Sequence, residues 1–280
     1  MFMLFLLHYV MRQVSPLPDG DDQPPWIREK KVGPWHLLGL IGRGNFGEVF
    51  LAEDPEGNRK AVKVFAPELT DRRAFELEYN GMEHAHRLTP HPNLVPVESV
   101  GRTEYCIYYT MPAADALNEN PYTPHTLYNR MVRNDLGEQE LLELAGSVLN
   151  ALEFLHSKKL VHRDVKPDNI LKTNGVWRLA DPGLLSAPHP AQFAGTPGFY
   201  PGKKSFRADE AGDLYALGIT LYCAATGMKP EKYPLVPEHY DYSRYPRLRR
   251  LYRNAVEGAY KNADEMIKDL EYLQSVSSGQ

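Results

Sequence analysis

The order of apolar patterns along the chain predicts an α+β fold in two lobes, a small antiparallel sheet with one helix followed by a mainly helical half. Three observations carry this. Residues 35 to 65 hold three short strand-like runs, "WHLLGLI", "EVFLAE" and "RKAVKVF", joined by glycine-bearing turns. From Glu138 onward the apolar period becomes helical. At 280 residues the chain reaches the size at which one apolar core gives way to two. A composition of 42% hydrophobic and 24% charged residues excludes a disordered chain. A formal net charge of −4 supplies no basic field for nucleic acid or an anionic membrane.

The elements follow in order. The first eleven residues, "MFMLFLLHYVM", are apolar but shorter than the roughly 20 that span a bilayer. They also lack the basic start and small-residue cleavage site of a secretory signal. The expected role is a packing arm, with membrane or partner contact as the second reading. "SPLPDGDDQPPW" reads as a linker. The folded domain is therefore expected to begin near Val32, with a first lobe over 32–112, a second over 113–280, and residues 1–31 as segment and linker.

"GRGNFG" (42–47) joins the first two strands and "DPEGN" (54–58) turns between the next two. "DRRAFELEYNGMEHAHRL" is helix-compatible and could be capped by Thr70 or Asp71. Strands are expected around "NLVPVESV" and "EYCIYYTM". Leu141, Leu144, Ala145, Val148, Leu149, Leu152 and Leu155 then mark one buried face of a long helix. "DLYALGITLYCAAT" and "ADEMIKDLEYL" also fit helices. Cys106 and Cys223 lie in apolar runs and read as buried free thiols of a reducing compartment.

Three features point to phosphate chemistry. The residues after Gly47 run on as a strand, so the loop joins antiparallel strands. Gly42, Gly44 and Gly47 there admit backbone N–H groups to a polyphosphate without an intervening Cβ. A glycine-rich hairpin with no ligand is the competing reading. Lys63 shares a strand face with Ala61 and needs a carboxylate partner, Glu78 or, in the other register, Glu76. "NILK" and "VWRLAD" flank Asn174-Gly175, a preferred two-residue hairpin turn. That register sets Asp168 opposite Asp181, with Asn169 diagonal to Asp181 at ~7 Å or less. Both side chains can then share one Mg²⁺ on a nucleotide's phosphates.

"LEFLHSKKLVHRDVKPDNILKTNGVWRLADPGL" (152–184) resembles the catalytic core of the eukaryotic-like protein kinases, in the manner of bacterial serine/threonine kinases. His162, Arg163, Asp164, Lys166 and Asn169 match the family's catalytic loop in identity and spacing. The resemblance runs from the glycine-rich loop through Lys63 to "DLYALG" (213–218). It implies a two-lobed protein kinase fold, ATP and Mg²⁺ as cofactors, a protein substrate, no nucleic acid, and a cytoplasmic setting. Asp164 would receive or orient the proton of the attacking hydroxyl, and Lys166 would stabilise charge on the transferred group. Asn169 and Asp181 would hold the metal, and Lys63, positioned by Glu78, the phosphates. Ile41, Gly42, Arg43, Gly44, Asn45, Phe46, Gly47, Val49 and Ala61 would line the nucleotide site. Met111, Pro112 and Ala114 would form its hinge, with Thr196 of "GTPGFY" buttressing Asp164 and Lys166. The implied activity is that of an ATP-dependent serine/threonine protein kinase; the alternative is a pseudokinase that binds nucleotide or serves as a scaffold.

The sequence departs from the family in two places. Pro182 stands where the family has phenylalanine, near Met82, and reads either as a stiffened switch or as an underfilled core. Pro201, Gly202 and Lys203 replace Ala-Pro-Glu, and Ala259 stands where that Glu's arginine partner is expected, so both members of the pair are gone together. Ser186 is the only hydroxyl between Asp181 and Thr196. "YDYSRYPRLRRLYRN" suits a protein docking surface better than a nucleic-acid surface.

Overall fold

The computed structural model describes residues 12–17, 20, 23–44, 47–65, 72–88, 90–181, 185–186, 196–200, 209–233 and 244–276. Strands β1 (Lys31–Val32), β2 (Trp35–Gly44), β3 (Gly47–Glu53), β4 (Arg59–Phe65), β5 (Ser99–Arg102) and β6 (Ile107–Pro112) form one antiparallel sheet in the order β1-β2-β3-β4-β6-β5. Alternation along β4 separates the two faces of this sheet. Val62 and Val64 point into an apolar cluster with Phe50, Leu37 and Tyr108. Ala61 and Phe65 point the other way, toward Met82 of helix α2 (Arg72–Arg87) and the cleft below, and Lys63 between them shares their face.

Packing on the sheet starts upstream of Val32. Helix α1 (Pro25–Arg28) buries Trp26 and Ile27 in the first cluster, and Ser15 bridges to Leu40 of β2. The expected strand around "NLVPVESV" is largely absent, since β5 begins only at Ser99. Pro96 cannot donate to a ladder. The preceding stretch instead reaches into the second lobe, where Leu94 makes a single parallel bridge to Leu179 and Val95 N donates to Leu179 O at 2.9 Å.

The second lobe opens with a hairpin, β7 (Ala116–Glu119) and β8 (Tyr122–Pro124), followed by helices α3 (Leu127–Arg133) and α4 (Glu138–Ser157). In α4 the residues at helical spacing, from Leu141 to Leu155, are buried as the period predicts. A second hairpin, β9 (Ile170–Thr173) and β10 (Val176–Leu179), packs on α4. Helix α5 (Glu210–Thr226) is apolar nearly all round and runs through the core, between α4 and helix α6 (Pro246–Val256). Gly218 lets α5 and α6 approach closely, because a Cβ there would lie 2.9 Å from that of Ala255. Helix α7 (Ala263–Ser275) closes the lobe against α4. Cys106 and Cys223 are both buried, and no disulfide joins them. Among the described residues no helix is long and apolar enough to cross a membrane.

Candidate active site

The site grows from the β9–β10 hairpin. Asn174 and Gly175 have φ of 51° and 75°, the two left-handed residues that a two-residue hairpin turn of this hand requires. The register pairs Thr173 with Val176 and Ile170 with Leu179, as the Asn-Gly spacing predicts. One step further, Ala180 N donates to Asn169 O at 2.8 Å, so Asn169 and Asp181 leave the hairpin side by side. Asp115, just past the hinge, grips the turn, its two carboxylate oxygens accepting from Asn174 N and Gly175 N at 2.8 Å each.

The loop from His162 to Asn169 hangs from helix α5. Asp213, fully buried in its first turn, accepts from His162 N at 2.8 Å and from Arg163 N at 2.7 Å, and pairs with His156 Nε2 at 2.9 Å. Burial works to raise its pKa, but His156, His162 and the Arg163 amide outweigh burial and hold the carboxyl below its ordinary range. Those bonds fix Arg163 at φ 71°, a conformation that L-residues avoid unless their surroundings impose it.

Asp164 then sits inside a closed set of contacts. Thr196 Oγ1 donates to its Oδ1 at 2.7 Å, Lys166 Nζ lies 2.7 Å from Oδ2, and Asn169 Nδ2 donates to Oδ2 at 2.9 Å and to its backbone oxygen at 2.8 Å. Lys166 also donates to Thr196 Oγ1 at 2.8 Å. With both amide hydrogens committed to Asp164, Asn169 presents only its carbonyl oxygen to further partners.

Across the cleft, Lys63 Nζ meets Asp181 Oδ1 at 2.6 Å, and Tyr109 Oη reaches the same oxygen at 3.4 Å. Lys63 is only 3% exposed. Burial pushes the Asp181 carboxyl up, and Lys63 more than cancels that, leaving it below the ordinary range. Asp181 itself takes φ 64°. For the neighbouring Asp168 burial wins, raising the carboxyl despite Arg12 and Lys166.

A cleft of about 350 Å³ lies between these groups. Ile41, Gly42, Arg43, Val49, Ala61, Lys63, Met111, Pro112, Ala114, Lys166, Asn169 and Asp181 all line it. Gly44 and Gly47 pair at the end of β2 and β3, and Asp164 stands behind Lys166 and Asn169. The Ala114 carbonyl already accepts from Tyr122 Oη at 2.6 Å, which uses one of its two lone pairs. Asn45, Phe46, Thr70, Asp71, Pro182 and residues 201–203 lie outside the described residues, as do the side chains of Glu76 and Glu78.

The sequence reading missed Arg12, Pro124, Thr126, Leu171 and Ala180 of the lining, and also Tyr109. Strand alternation could have found two of these, since Leu171 is two residues from Asn169 and Tyr109 two from Met111. Nothing in the sequence pointed to Arg12. The residues present fit a magnesium nucleotide. Asn169 and Asp181 offer two hard oxygen donors beside a lysine, and among the described residues no trio of His, Cys, Asp or Glu forms a metal cage. Such an ion would draw its remaining ligands from phosphate and water, as Mg²⁺ characteristically does.

Residues 35–271 match the protein kinase domain family. Serine/threonine-protein kinase PknD of Chlamydia caviae is 28% identical over 219 residues, 67% of this chain and 24% of that protein. For serine/threonine-protein kinase AfsK of Streptomyces griseus the figures are 29% over 214 residues, 72% and 25%. For serine/threonine-protein kinase Pkn1 of Myxococcus xanthus they are 28% over 232 residues, 77% and 32%. The chain thus spans about a quarter to a third of the length of these curated relatives. On the match over residues 35–271, the chain belongs to the protein kinase domain family.

Proposed function

We propose that the chain is an ATP- and Mg²⁺-dependent protein kinase that moves the γ-phosphoryl group of ATP to a serine or threonine hydroxyl of a protein substrate. The observation that carries this is the closed contact set of Asp164 with Lys166, Thr196 and Asn169, one hairpin register away from Asp181 and Lys63. Phosphoryl transfer needs little covalent help from the protein; it needs positioning and charge stabilisation. Asp164, held by donors on both oxygens, orients the attacking hydroxyl and accepts its proton. Lys166 balances the charge that develops on the transferred group. Lys63 moves from Asp181 to the α and β phosphates when nucleotide binds. Mg²⁺, held by Asn169 and Asp181, would neutralise charge on the phosphate oxygens.

The serine/threonine preference rests on the names of the relatives and on Lys166 in the loop. Two buried cysteines with no disulfide between them support a reducing, cytoplasmic setting. Arginines of α6 are engaged within the chain, Arg247 with Glu138, Arg250 with Asp269 and Arg253 with Glu257, which supports a structural role for that face over nucleic-acid binding.

Asp164→Asn tests the reading. It should keep ATP binding but cut radiolabel transfer to a generic basic protein by about a hundredfold or more, the usual scale for a general base. Equal transfer by wild type and variant would leave only the pseudokinase reading. Pro182→Phe tests the stiffened switch. Its activity should stay within about threefold of wild type, less than 1 kcal/mol at the barrier; a hundredfold gain would mean that the proline disables the native enzyme.

A further inference from the structure

Residues 12–17 lie upstream of the family match and touch both walls of the cleft. We propose that this segment is a clasp across the mouth of the nucleotide site, with Arg12 as its contact on the floor, and that the clasp slows nucleotide release. The proposal rests on the reading of the cleft as the ATP site.

On the roof side, Ser15 N donates to Leu40 O and Leu40 N to Ser15 O, both at 2.9 Å, a two-way backbone bridge to the strand that continues into Ile41, Gly42 and Arg43. A specific gap admits the segment there. A Cβ at Gly39 would lie 2.5 Å from Val14 Cγ2 and 2.7 Å from Ser15 O, so any other residue at that position displaces the clasp or is itself displaced. In the middle, Val14 N donates to Tyr122 O at 2.7 Å.

On the floor side, the buried Asn129 amide treats Arg12 as a strand neighbour would. Arg12 N donates to Asn129 Oδ1 at 2.7 Å and Asn129 Nδ2 donates to Arg12 O at 2.8 Å. The Arg12 guanidinium pairs with Asp168, the residue before Asn169, and lies 4.3 Å above the Tyr128 ring. The segment therefore joins the roof strand to the turn that carries Asn169, and Arg12 itself lines the cleft. Separation of roof and floor eases the exit of a nucleotide held between them, and a tether between them raises the barrier to that separation.

Stopped-flow dissociation of a fluorescent ADP from the full chain tests this, with Arg12→Ala, Gly39→Ala and the double variant. Each single change should speed release about tenfold, the equivalent of about 1.4 kcal/mol at the barrier. The double should be no faster than the larger single effect, because both changes open the same clasp. Hydrogen exchange reads the clasp directly, without nucleotide. The Val14 and Ser15 amides should be protected in wild type and exposed in both variants. Unprotected amides in wild type, release rates unchanged once those amides are exposed, or multiplicative single effects would each overturn the proposal. Wild type that binds no ADP would overturn the kinase reading as well, and the exchange data then tell the two failures apart.

Discussion

The floor and the roof of the cleft are held by different means. The floor is fixed by buried polar bonds: Asp213 receives the catalytic loop, Asp115 receives the hairpin turn, and Asp164 is bonded on both oxygens. Over the cleft, β2 and β3 extend as a pair that ends at Gly44 and Gly47, with the Ser15 bridge as an added tie to the strand behind. Chemistry that depends on preorganised charge sits where the backbone is over-determined. On the proposed reading, nucleotide would pass on the side where it is not.

Substitutions on the floor should therefore be costly according to how deeply buried the backbone groups are that each one releases. Asp213→Ala strands two buried N–H groups and a histidine, and should lower stability by about 3 to 5 kcal/mol in denaturant melts, with loss of activity. A pH series sharpens this. Asp213 and Asp181 are both held below the ordinary carboxylate range. Their contribution is present above that range and disappears as pH falls through the depressed values. Wild type should lose stability below about pH 4, and Asp213→Ala should show a flatter acid limb. Asp115→Ala releases two N–H groups nearer to solvent, so about 1 kcal/mol and a several-fold loss of kcat are expected, with KM for ATP the smaller change. Tyr109→Phe removes one long hydrogen bond to Asp181, and should lower kcat only about two- to threefold, with unchanged melting. If Tyr109→Phe costs more than Asp115→Ala, the ordering of floor over roof is wrong.

What the sequence made readable was local. The Asn-Gly turn dictated a register, and the register set Asn169 opposite Ala180, the residue before Asp181. Helical spacing gave α4, and strand alternation put Lys63 on the face of Ala61. What it hid was long-range. Asp213 binds a loop about fifty residues away through backbone amides, and such bonds leave no signature in the residues that donate them. Arg12 reaches Asp168 from the far end of the chain. The stretch before Ser99 was rich in Val and looked like sheet, but Asn93 and Val95 bond to Leu179 in the other lobe, and only Glu98 bonds to β6, at Thr110.

Asp115 follows Ala114 at the hinge by a single residue, and its carboxylate clamps the turn of the hairpin from which Asn169 and Asp181 project. The span from Ala114 to Asn169 and Asp181 is therefore built into one lobe, like the markings on a ruler, and does not depend on where the upper sheet lies. On the proposed reading, a nucleotide would be measured for length against that fixed span.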